Sequence, residues 1–332
     1  MITTSNFPDL VSNSETKWKE GFKEVAMAMR QIFDAYSTEQ YQSSHSTLDG
    51  FGLAKRKTET GVFEKGDPEQ GYKINLQQAR IGLVGEVTWE MRKFDRYRQI
   101  GQMMKKLGMA TASRLELDLA NFLSYGFDAA SPYQYTNMDS ENVAVVTGDN
   151  LPIFHGAHTI TGGAATYSNK GTLAFDAEGA ALTFAMNLFK NMLAPKGDRA
   201  HRSPDTILTS DDQNVVLAVS KLLNSTSVGG NNSGTANPYK GRFTHTVAPR
   251  LAENALGVYE AARAKQWYLV DSSAKDMMPC EVSEEPTFLP PSSDASLLNS
   301  GTTDAWEFRS TAAYDYGIVE ASCIVGMDGT TT

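Results

Sequence analysis

Only two cysteines, Cys280 and Cys323, occur in 332 residues, so no disulfide framework is implied and a reducing compartment is the simplest expectation. Histidine is nearly as scarce, and of the five present only His155 and His158 lie close together. Basic residues are outnumbered, 30 against 39 acidic, for a formal charge of −9. A protein whose main task is to grip nucleic acid needs the opposite surplus, because Lys and Arg do the work of neutralising phosphate. No apolar run approaches the roughly 18 residues of a membrane-spanning helix. The opening stretch MITTSNFPDLVSNSETKW lacks a basic region followed by an apolar core, so it does not read as a signal peptide. These absences together describe a soluble chain that folds in a cytoplasm.

What is present is the composition of a globular protein, with 41% hydrophobic, 10% aromatic and 21% charged residues, in a chain long enough to bury a sizeable core. Ser12 and Glu15 have capping-box spacing, and Trp18, Phe22, Val25, Met29, Ile32, Phe33 and Tyr36 recur as one helical stripe. Between Ile81 and Met91 the odd positions are mostly apolar and the even ones mostly polar, the alternation of a half-buried strand. Upstream, Gly66, Asp67, Pro68 and Gly71 are turn formers among short strand-like pieces, so residues 41–92 predict a long two-stranded excursion with a charged tip. A lone hairpin is marginal in water, so its natural support is another subunit.

A long helix is expected from Asp95, a plausible N-cap, to Tyr125, with room for a bend at Gly108. Residues 92–116 hold seven bases against two acids, whereas 271–307 hold eight acids against one base. The basic stretch is therefore either a DNA-facing surface or a solvated or intersubunit helix face balanced by the acidic region. Further on, Asp176 predicts a helix stopped by Pro195, and Thr206–Leu208 a strand. Ser210 and Gln213 make a second capping box before a helix, residues 227–238 (SVGGNNSGTANP) a mobile loop, QWYLVD a strand and YDYGIVEASCIVG a closing strand. Runs of helices and strands without regular βαβ alternation give an α+β class.

Chemistry has little to work with. His155 and His158 are three apart with Gly156 between them and no acid following nearby, unlike the i, i+4 helical pair of a zincin. Two loop histidines bonding to backbone or packing on Phe154 is the favoured reading; a metal-dependent enzyme built on them is the remote one. No phosphate loop, dinucleotide fingerprint or nucleophile elbow occurs. The expectation is therefore a protein that is not an enzyme and has no cofactor and no metal.

The order of features resembles the major capsid proteins of tailed bacteriophages with the Hong Kong 97-like fold, the Mu-like major head subunits in particular. In that group a strand enters the central spine helix through a phrase like that of Thr88, Trp89, Glu90, Met91, Asp95 and Tyr97 here. A phrase such as that of Phe154, Ala157 and His158 follows the spine, and the segments 204–225, 237–271 and YDYGIVEASCIVG also have counterparts. The resemblance implies an N-terminal arm with an amphipathic helix (1–40), an extended E-loop hairpin (41–92), the spine helix and peripheral domain (93–174), an axial domain (175–270), and a return to the peripheral domain with closing strands (271–332).

It also implies a self-assembling shell of pentamers and hexamers around double-stranded DNA contacted non-specifically. A separate scaffolding protein, a portal and room for a decoration protein belong to that picture, with no membrane, in a virion assembled in the host bacterial cytoplasm. Trp18, Phe22, Lys55, Arg56, Lys57, Phe63 and Lys65 would meet neighbouring subunits. Trp89, Glu90, Arg92, Asp95 and Arg96 would form the strand–spine junction, and Phe154, His155 and His158 a structural loop. An encapsulin-type compartment sharing the fold is the alternative.

Overall fold

The computed structural model describes residues 7–48, 70–88, 97–127, 130–227, 236–290 and 305–331, with 54, 56, 57, 59, 61–63, 65, 66, 68, 90, 91 and 94 between them. Lys55, Trp89, Arg92, Asp95 and Arg96, and the 228–235 part of the Gly/Asn-rich loop, lie outside the described residues.

Helix α1 spans Phe7–Glu24, so it begins earlier than its expected capping box. Ser12 sits inside it, where its carbonyl accepts from Thr16 Oγ1, and Glu15 pairs with Lys19 at i+4. The apolar stripe is also cut. A short helix α2 (Ala28–Ile32) follows, and Tyr36 lies in strand β1 (Asp34–Ser37). The stripe is in phase throughout, but its halves face different cores. Trp18 packs with Val87, Ile100, Met104, Leu107, Phe288 and Phe308, whereas Met29, Ile32 and Phe33 join a cluster containing Leu115, Leu119 and Phe122.

The long helix α3 (Tyr97–Ser124) is the axis to which both halves attach, and it runs unbroken past Gly108. That glycine makes a crossing rather than a bend. A Cβ at Gly108 would overlap the Trp18 carbonyl, and one at Gly21 would overlap the Lys105 carbonyl, so the two helices touch backbone to backbone. Farther along α3, buried Glu116 accepts from the backbone N–H groups of Met29 (2.9 Å) and Arg30 (3.2 Å) and so caps α2 from a distance. Burial lifts this carboxyl above its ordinary range against the pull of those N–H groups. Glu116→Ala leaves two helix-terminal donors unpaired; the expected loss is about 1–3 kcal/mol, read as a lower denaturation midpoint at unchanged slope.

Two sheets flank α3. In chain order the strands are β2 (Gln42–Leu48), β3 (Gln70–Gln77), β4 (Ala79–Thr88), β5 (Gln134–Thr136), β6 (Asn142–Ala144), β7 (His158–Ile160), β8 (Gly163–Tyr167), β9 (Lys170–Leu173), β10 (Thr206–Thr209), β11 (Thr244–Val247), β12 (Trp267–Val270), β13 (Pro279–Leu289), β14 (Ala305–Tyr316) and β15 (Ile324–Thr331). The four-stranded sheet runs β1-β13-β14-β4 and the five-stranded sheet β11-β10-β12-β15-β9. Two expectations change here. Strand β4 pairs with β14 in the body, so the excursion is β2 with β3 alone. The closing segment is two strands in different sheets, β14 and β15, separated by a turn and a 3-10 segment at Ala321–Cys323.

The five-stranded sheet is covered on both faces, which is why WYLV is buried at all four positions. Trp267 and Leu269 face helices α4 (Ala180–Lys190) and α5 (Gln213–Asn224), while Tyr268 and Val270 face the α3 side. Asp176 receives the N–H groups of Ala180 (3.1 Å) and Ala181 (2.7 Å) at the start of α4, as its position predicts. The cap of α5 is Asp212, which accepts from Asn214 N; Ser210, expected there, instead donates to the Ala264 carbonyl. No helix among the described residues is long and apolar enough to cross a membrane.

Candidate functional site

The β2–β3 hairpin is the one two-stranded excursion that the sequence singles out, and its attachment is built from alternating side chains. On β2, Ser43, His45 and Thr47 are the partly buried positions; on β3, Ile74 and Leu76 turn inward between Lys73, Asn75 and Gln77. Gly317 makes room for the two apolar side chains, since a Cβ there would strike Ile74 and Leu76. The polar side closes on Glu281 of β13, whose side chain is 3% exposed. Its carboxylate accepts from Tyr36 Oη (2.9 Å), Gln78 Nε2 (3.2 Å) and Ser43 Oγ, and His45 Nε2 lies 2.8 Å away. Burial would raise this acid, but the bonds from Ser43, His45 and Tyr36 outweigh it and hold it below the usual carboxylate range. Next to it Asp315 of β14 accepts from Gln77 N (2.6 Å) and Tyr316 N (2.8 Å). A third tie runs from Tyr72 Oη to Thr159 Oγ1 on β7, 2.7 Å away.

Beyond this root the excursion is exposed. Leu48, Val62 and Phe63 are all more than three-quarters accessible, and the Lys57 ammonium lies 5.1 Å from the Phe63 ring centre. Arg56, Lys57 and Lys65 are exposed as well. Trp18 is a correction, because its ring is 4% exposed and enclosed by its own chain. The indole Nε1 donates to Ser310 Oγ at 2.9 Å, and Phe22 stacks on the ring at 5.5 Å. An aromatic stripe near a terminus is the same pattern whether the chain's own body or a neighbour covers it.

The FHGAHT segment forms a joint beside the five-stranded sheet, against β12 and the 3-10 turn that follows α3. Phe154 is buried and stacks on Phe127 (4.5 Å) and Tyr268 (5.4 Å). His158 is also buried, with Nδ1 2.9 Å from Asp149 Oδ2 and Nε2 3.3 Å from the Ile153 carbonyl. Both ring nitrogens are occupied by these contacts, which leaves neither for a metal. His155 accepts from Ala157 N through Nδ1, and its ring lies edge-on to His158 at 5.9 Å. Among the described residues, no group of three or more His, Cys, Asp and Glu could hold a metal ion.

Burial would raise Asp149, but His158, Thr147 and Leu151 outweigh it and depress the carboxyl. Its contribution to stability is therefore complete above the ordinary carboxylate value and is lost as pH falls through the depressed one. Removing one partner of such a pair strands the other, so His158→Ala is expected to cost about 3–5 kcal/mol in chemical denaturation near neutral pH. Asn169, invisible to motif reasoning, completes the joint. Fully buried, it donates through Nδ2 to the carbonyls of Ile153, Ala321 and Ile324 and accepts from His155 N.

Two bases of the basic stretch are paired locally, while Lys106 is exposed. Lys105 pairs with Glu24 of α1, and Arg114 with Asp118 and Asp139, rather than with acids of 271–307. Those acids have other partners, with Arg30 on Glu285 and Arg80 on Glu284. Beyond β4, Glu90, expected at a strand–spine junction, is exposed and accepts from Phe94 N through its carbonyl.

The fold, with α1 crossing the long α3, is similar to that of several solved structures. A virus-like particle from Pyrococcus furiosus has a chain 10% identical to this one, matched over 96% of this chain and 98% of that chain with a TM-score of 0.52. A chain of Mycobacterium phage Adephagia is 14% identical over 91% and 90% with a TM-score of 0.54, and one of Gordonia phage Cozz 10% identical over 90% and 85% at 0.52. At these identities the likeness is one of fold. No curated protein matches the chain. The family model for phage capsid protein matches residues 71–326, and the chain belongs to that family. It is a structural major capsid protein of a phage, a component of the virion shell and not an enzyme.

Proposed function

We propose that copies of this chain close into pentamers and hexamers of an icosahedral shell around double-stranded DNA, with the β2–β3 hairpin lying over the adjacent subunit. The carrying observation is that hairpin: its root is tied to the body through Glu281, Asp315 and Thr159, while Leu48, Val62 and Phe63 stand exposed. Apolar side chains held out on an anchored arm favour a partner surface, and in a shell that surface belongs to another copy. Each contact can be modest because many are made at once. Lys55, Arg56, Lys57, Phe63 and Lys65 are assigned to this contact, and Trp89, Glu90, Arg92, Asp95 and Arg96 to the strand–spine junction.

In this reading residues 1–40 form the arm, the α3 region the spine, and the five-stranded sheet with α4 and α5 the axial body. The family match favours a phage shell over an encapsulin-type compartment. A separate scaffolding protein, a portal and a decoration protein are the partners of such a shell, and the host bacterial cytoplasm is where it assembles. The net charge of −9 suits walls that surround DNA without gripping it. Sedimentation and negative-stain microscopy of the expressed chain, with scaffold where needed, are expected to show capsomers or closed shells. A compact monomer under every condition overturns the proposal.

A further inference from the structure

We propose that Glu281 and Asp315 form a pH-responsive latch at the root of the β2–β3 hairpin, tightening as pH falls through the weakly acidic range and loosening above it. The geometry comes from the register. Glu281 and Asp315 are cross-strand partners in β13–β14, so two carboxyl groups stand opposite each other, where like charges oppose pairing. Each holds a different part of the excursion. Glu281 takes the side chains of Ser43 and His45 on β2 and of Gln78 after β3; Asp315 takes the backbone N–H of Gln77 at the end of β3.

The groups facing this pair are mostly neutral or acidic. Strand β1 contributes Tyr36, on Glu281, and Asp34; β13 contributes the buried Cys280 thiol; β3 offers only the neutral Gln77. On β4, Arg80 is engaged by Glu284. Among the described residues no Lys or Arg bridges either carboxylate, and Glu281 instead has the His45 ring 2.8 Å away.

The two acids respond differently to protons. Asp315 is pushed up to about 6, first by burial and then by the charge of Glu281, against the pull of Tyr316 N and Gln77 N. Glu281 stays below the usual range. Between the ordinary carboxylate value of about 4 and about 6, the docked root holds a proton that the undocked one releases. Stability of the docked root therefore falls as pH rises through that window. Above it both carboxylates are charged and repel.

The latch regulates the hairpin assigned above to subunit contact, so it rests on that reading. Its test is made on the chain itself. Amide hydrogen exchange at residues 42–48 and 70–77, corrected for intrinsic rates, is expected to slow roughly tenfold from pH 8 to pH 5, the change setting in near 6. Amides of 206–209 in β10 serve as the control and stay level. Asp315→Asn should give at pH 8 the protection that the unmodified chain shows at pH 5, and Glu281→Gln should lose protection at both. Should either variant fail to fold, the unmodified chain still decides through its onset near pH 6. Hairpin protection that is flat between pH 5 and 8, or a dependence that survives Asp315→Asn, overturns the latch. Shells with a flat profile remove the latch alone; a chain that shows the onset but forms no shells removes the assembly reading alone.

Discussion

Gly108→Leu is expected to detach the first helix from the spine and lower stability by about 3 kcal/mol or more, in the range of core overpacking and lost aromatic burial. Helix propensity points the other way, since replacing glycine in a helix interior normally gains up to about 1 kcal/mol. The crossing decides the sign. Any Cβ at position 108 meets the Trp18 carbonyl, and backbone cannot step aside as a flexible side chain can. The reciprocal contact of Gly21 with Lys105 means that α1 cannot shift along its axis without losing its second close approach.

If α1 lifts, Trp18 leaves Phe288 and Phe308, and Ser310 loses its indole donor while keeping Thr111 at 2.7 Å. The expected record is a lower Tm and a red-shifted emission component that a Trp18→Phe background removes. Even Gly108→Ala should destabilise. An alanine variant more stable than the original chain would show that the helices do not cross here.

The second large effect separates folding from assembly. Deleting residues 55–68 should leave a subunit whose body unfolds at nearly the original temperature but which closes no shells. The deleted stretch lies between β2 and β3 in the chain, and none of its described residues belongs to the three buried clusters, so their removal takes nothing from the cores. The root keeps Ile74, Leu76 and the bonds to Glu281 and Asp315. In a shell the same loss is repeated at every subunit contact, and contacts that are individually weak fail together. The checks are a thermal melt and sedimentation on the same preparation. Normal shells from the deletion would remove the hairpin from the assembly contacts.

Local patterns with one buried face were legible in the sequence. The alternation after Ile81 is strand β4 only as far as Thr88 and with Leu83 half exposed, the WYLV run is a central strand, and Asp176 and the apolar periodicity after it give α4. What could not be read was partner choice. Alternation states that β4 has a buried face but not that β14, more than 200 residues away, pairs with it. The stripe from Trp18 to Tyr36 kept helical phase across a break, because phase does not record which core each half meets. Gly108 looked like a weakness in a helix, since a close approach depends on a second segment. Glu116, Asn169, Glu281 and Asp315 were missed for a related reason: each is a lone polar residue whose partners are backbone or distant side chains, so no local spacing marks it. The histidine pair was visible as a loop feature, but its acid, Asp149, precedes it in the chain and was not part of the pattern searched.

A cryo-microscopy map of the assembled particle tests the central claim most directly. The account predicts a closed shell of repeated copies in which the segment between Leu48 and Gln70 of each subunit lies against its neighbour, while α1 remains packed on the spine helix of its own chain through Gly21 and Gly108. A map in which that segment folds back on its own subunit, or preparations that never yield a shell, would contradict it.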